Sequence, residues 1–157
     1  MAKHGKAGGK GERASAKAVE RWAEALGVAF DQPPIEPLGG DEASLATVGD
    51  EAWVALQLEQ KHGHPVENVL QYWRWLERSR RRMVLVHAIA MDARRKAGPR
   101  TELTLWAGAM MERVLPGRFA YCRVDLGTAE EVAQLDAARA AIDSLRQPME
   151  GRSILTS

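Results

Sequence analysis

Apolar positions recur at helical spacing along much of the chain. Val19, Trp22, Ala23 and Leu26 fall on one face, with Ser15 placed to cap the helix and Gly27 to stop it. The stretch 31–40, Asp-Gln-Pro-Pro-Ile-Glu-Pro-Leu-Gly-Gly, reads as a loop or short linker, because its prolines lack amide donors. Residues 41–62 predict one or two helices broken at Gly49-Asp50. The run Trp53 to Leu58 alternates like a strand, but its Ala, Leu, Gln and Glu favour helix. Pro65 suits the first turn of the next helix.

The segment 65–97 predicts one long helix, ended by Arg94-Arg-Lys, Gly98 and Pro99. Val66, Val69, Trp73, Leu76, Met83, Val84, His87, Ala90 and Met91 take one side. Arg74, Arg78, Arg81, Arg82, Arg95 and Lys96 gather opposite. A strand at 83–91 competes, since Val84, Val86 and Ile89 are β-branched. Thr101 is placed to cap a helix with Leu103, Trp106, Met110 and Val114 on its apolar face. Residues 118–126 read as irregular or briefly extended. Thr128 and Glu131 match a capping box, and Leu135, Ala138, Ile142, Leu145 and Met149 follow at helical steps. The expected fold is all-α: a compact bundle of five to six helices in one domain over 15–149. A flexible basic arm over 1–14 precedes it, and a loose tail over 150–157 follows.

Composition fits this picture and narrows the function. The chain of 157 residues is 45% hydrophobic and 27% charged, which is globular in kind. The apolar run from Met83 to Met91, broken only by His87, is far short of the roughly 20 residues that span a bilayer. The N-terminus has charge but no apolar core behind it, so no secretory signal is expected. A single cysteine, Cys122, excludes an internal disulfide framework and fits a reducing, cytoplasmic setting.

Charge is unevenly spread behind a formal net of +1. Residues 22–73 hold Lys61 against nine acids, whereas residues 74–100 hold nine bases against Glu77 and Asp92. The run from Gln71 to Met83 interleaves aromatic residues with arginines. Guanidinium groups pair with phosphates and aromatic rings stack on bases, so this is an electrostatic footprint for nucleic acid. The contacts expected are Arg74, Arg78, Arg81, Arg82, Arg95 and Lys96, with Lys3, Lys6 and Lys10 adding nonspecific attraction. The competing reading is a solvated face, or one paired with the acids of 22–73, with the tryptophans simply core. Arg80 and Arg94 fall toward the apolar side; either they have partners, for which Glu59, Glu112 or an acid of another subunit are candidates, or, at less cost, that face is wider and more exposed.

Other constellations are weaker. His62 and His64 lack the spacing of a helical metal site, and His87 suits a hydrogen-bonded core position. Cys122 has no histidine beside it in sequence and reads as packing. No phosphate-binding glycine loop or nucleophile motif is present, and no cofactor or metal is expected. The reading from sequence is a non-catalytic protein that binds nucleic acid through backbone charge, alone or within a nucleoprotein assembly. Its alternative is a protein–protein adaptor or assembly subunit whose charged patches drive oligomerisation.

Overall fold

A computed structural model describes residues 9–33, 43–49, 51–60 and 64–147, with side chains described from residue 17 onward. It overturns the all-α expectation. The described elements are α1 (Gly9–Leu26), β1 (Ala43–Val48), β2 (Ala52–Glu59), α2 (Pro65–Arg78), β3 (Arg82–Ile89), α3 (Met91–Ala97), α4 (Arg100–Val114), β4 (Phe119–Asp125) and α5 (Glu131–Arg146). The strands form one mixed sheet in the order β1-β2-β3-β4. β1 and β2 are an antiparallel hairpin, while β2, β3 and β4 run parallel.

The sheet is covered on both faces. Trp22 and Leu26 of α1 and Ala138 and Ile142 of α5 pack on Val54, Leu56, Val84 and Val86. Val69, Tyr72 and Leu76 of α2 and Ala107 and Met111 of α4 pack on Ala55, Met83 and Leu85. Successive strand residues thus enter opposite cores, and β3 is buried at every position after Arg82. Such strands lose the alternation by which a one-sided sheet is recognised. That is why 53–58 and 82–89 read as helical.

The long helix expected over 65–97 is three elements. α2 ends at Arg78, β3 crosses the core, and α3 begins at Met91. Pro65 does stand in the first turn of α2. Gly49, with φ 61°, serves the β1–β2 turn rather than a helix break. The first helix starts at Gly9, inside the stretch expected to be a flexible arm, and stops at Gly27 with φ 67°.

Two further expectations change in detail. In α4 the face toward the sheet is Thr104, Ala107, Gly108 and Met111, whereas Leu103, Trp106 and Val114 are exposed. At the start of α5 the Thr128 hydroxyl donates to Asp125 O, and Glu131 accepts from Gly127 N, so no reciprocal capping box forms. β4 is one of the two edge strands of the sheet, opposite β1. Two of its amides are taken by helix side chains, Tyr121 N by Glu112 of α4 and Asp125 N by Gln134 of α5. No described helix is long and apolar enough to cross a membrane.

Candidate nucleic-acid interface

The division of segment 65–97 also divides its bases. Arg74 and Arg78 lie on α2, Arg80 and Arg81 in the turn after it, and all four are exposed. They gather where β2 and β3 begin. Arg95 and Lys96, also exposed, sit on α3 beyond the other end of β3. An eight-residue strand puts about 23 Å between the two groups, at roughly 3.3 Å per residue. They are not one stripe, as a single helix would have made them.

Arg118 builds the first group. Its guanidinium donates to Leu76 O at 2.7 Å, to Ser79 O, and to Arg81 O at 3.4 Å. One side chain therefore satisfies carbonyls at the end of α2 and fixes the turn that presents Arg80 and Arg81. Arg82 is half-buried, and its Nη2 donates to Leu145 O at 3.2 Å. It serves as a tie between β3 and α5, not as a free contact.

Aromatic rings stand beside these bases. Trp53 of β2 and Trp75 of α2 pack edge to face, with ring centroids 6.0 Å apart. The Arg81 guanidinium carbon lies 5.6 Å from the Trp53 ring centroid, in cation–π range. Trp73 Nε1 donates to Glu77 at 3.1 Å. Glu77 is the one acid among residues 74–82, against five arginines. Among the described residues, Arg74, Arg78, Arg80 and Arg81 enter no ion pair. The described acids of 22–73, Glu24, Asp31, Glu51, Glu59 and Glu67, form no ion pair with them.

At the carboxyl end of the sheet, charges are paired. Arg94 meets Asp125 at 3.0 Å, and Arg123 meets Asp125 at 2.9 Å and Glu102 at 3.4 Å. Glu59 and Glu112, the partners expected for Arg94, are engaged elsewhere. Burial opposes ionisation of Asp125, but hydrogen bonds from Gln134, Arg123 and Arg94 outweigh it and hold the carboxyl below its ordinary value.

Beneath α2 and α4 lies a buried polar network that sequence reasoning located only through His87. Glu59 Oε1 stands 3.0 Å from His87 Nε2 and accepts from Asn68 Nδ2 at 2.5 Å. His87 Nδ1 lies 2.9 Å from the Tyr121 hydroxyl. The Tyr72 hydroxyl donates to Gln57 at 3.0 Å. Glu59 and His87 are fully buried. From sequence Glu59 is a candidate partner for Arg80 or Arg94 and its segment reads as helix; in the structure it ends β2 and pairs with His87.

His64 lies 3.6 Å from Glu67, both largely exposed, and among the described residues no group of three or more His, Cys, Asp or Glu is placed to hold a metal ion. His62 lies outside the described residues, as do Lys3 and Lys6; Lys10 falls in α1. Burial pushes the Cys122 thiol up to about 11, with Glu112 adding to it, so the thiolate is disfavoured. Comparison with protein-family models, curated proteins and solved structures finds no match.

Proposed function

We propose that the chain binds nucleic acid through the arginine–tryptophan end of its sheet. The observation that carries this reading is the set Arg74, Arg78, Arg80 and Arg81, exposed and without ion pairs among the described residues. Unneutralised guanidinium groups on a surface fixed by Arg118 suit phosphate oxygens spaced along a backbone. The neighbouring Trp53 and Trp75 are half-buried and pack against the core, so they serve first to seat this surface, and only their exposed portions are open to unstacked bases.

Anisotropy titrations of labelled duplex DNA, single-stranded DNA and RNA over a salt series test this. The triple change Arg74→Gln, Arg78→Gln and Arg81→Gln is expected to weaken binding. It also lowers the salt slope, by roughly 0.9 on duplex or 0.7 on a single strand, for each phosphate no longer neutralised. Arg95→Gln with Lys96→Gln, on the distant group, is expected to change both far less. Unaltered affinity and slope in the triple variant would remove this surface from the reading.

A second reading adds chemistry and rests on Glu59. Ligand sites of α/β sheets collect at the carboxyl ends of parallel strands, and Glu59 closes β2 at that end. In the sequence, Lys61 follows it by two positions, and Asp41 and Glu42 precede β1; these three lie outside the described residues. Carboxylates that hold a divalent cation against a phosphate, with a lysine offsetting developing charge, are suited to phosphodiester hydrolysis. Magnesium- or manganese-dependent cleavage of DNA or RNA, lost in Glu59→Gln and in Lys61→Ala, is the expected result. Intact substrates across the metal series would set this reading aside.

A further inference from the structure

The outer face of α4 has the wrong character for a surface left in water. Leu103 is 49% exposed, Trp106 62% and Val114 50%, and Met110 between them is half-buried. Their spacing of three, four and four residues draws one line along the helix. Isolated exposed apolar residues are ordinary, but a continuous row that includes a tryptophan marks a surface that meets another one.

The charges beside this row say what it meets. Glu102 stands near the start of α4 and Arg113 near its end, both exposed. A second α4 laid antiparallel, with the two-fold axis between Trp106 and Met110, places Trp106 of one protomer over Met110 of its partner. The same axis brings Glu102 of each protomer toward Arg113 of the other. A twofold interface uses one patch twice, so that patch must complement itself in shape and sign. This face meets the requirement: its centre is apolar, and Glu102 and Arg113 flank opposite ends on one side of the helix, while the exposed Arg100 and Glu112 lie round the helix from them. Glu102 already has Arg123 at 3.4 Å, but its side chain remains 72% exposed and has oxygen lone pairs to share.

We infer that the chain forms a homodimer through antiparallel packing of the α4 helices. The inference goes beyond nucleic-acid binding and does not depend on it, because the arginine group occupies different elements.

Light scattering coupled to size exclusion, and sedimentation equilibrium across a concentration series, test it on the full chain. The expected mass is twice 17.3 kDa for the unaltered protein. Trp106→Glu with Met110→Glu is expected to yield a monomer with an unchanged far-ultraviolet circular dichroism spectrum. Glu102→Arg alone and Arg113→Glu alone each raise the dimer dissociation constant, by about threefold or more at low salt. Combining the two reverses the charges together and restores most of the affinity. A monomeric wild-type chain at all concentrations overturns the inference. So does a dimer indifferent to both the glutamate pair and the charge reversals.

Discussion

Gly108 of α4 and the Tyr121 ring of β4 fill one space between them: a Cβ built on Gly108 would collide with Tyr121 Cγ. The missing side chain lets α4 settle onto the ring. The ring, so held, sends its hydroxyl to His87. A helix interior ordinarily prefers alanine to glycine by about 1 kcal/mol, so here packing overrides propensity. Gly108→Ala is expected to lower stability by roughly 1–3 kcal/mol, the usual cost of overfilling a core. In a Tyr121→Ala background the same change becomes neutral or favourable. Urea unfolding of the four proteins measures both, and equal effects in the two backgrounds would contradict the shared-space account.

Glu59 and His87 give a second prediction. Each is fully buried and each supplies the other's hydrogen bond. Glu59→Leu leaves His87 Nε2 and Asn68 without that partner, and His87→Leu takes one of the buried carboxylate's partners and leaves Asn68. Either change is expected to cost roughly 3 kcal/mol, mainly from the polar group left behind. The double change to Leu is expected to cost less than the sum by at least about 1 kcal/mol. Additive costs in chemical denaturation would show that the pair is not coupled.

Asp125 links stability to acidity. Its folded-state value lies below the ordinary 3.8, so ionisation is easier in the folded chain than in the unfolded one. Its contribution is therefore complete above about pH 4 and declines as the pH falls through the folded value. Asp125→Asn is expected to lower the melting temperature at pH 7, with the gap to wild type closing below pH 4. A gap that stays constant down to pH 2 would locate the effect in packing instead of charge.

What the sequence disclosed follows from where each element sits. α5 was legible in its facing residues because only one side meets the sheet; Ala138 and Ile142 are buried while Arg139 and Asp143 are not. α1 was legible for the same reason through Trp22 and Leu26. β2 and β3 were not, since both faces enter a core and the run from Met83 to Ile89 carries no period at all. In α4 the helix was legible but its orientation was reversed. The sheet there accepts Thr104, Ala107 and Gly108, small residues that allow close approach, with Met111, while Leu103, Trp106 and Val114 face out. Of the arginine interface, the local run could be read directly, but its separation from Arg95 and Lys96 could not. That separation depends on the strand hidden between them.

Sheets that end in a bare strand invite further strands to join, and repeated joining is how fibrils grow. β4 already gives its Tyr121 and Asp125 amides to Glu112 and Gln134 of its own helices. A visiting chain finds those donors occupied and must break two native bonds before it can pair. The side chains that hold this edge strand in place thus also guard that edge of the sheet against templated aggregation, through Glu112 and Gln134.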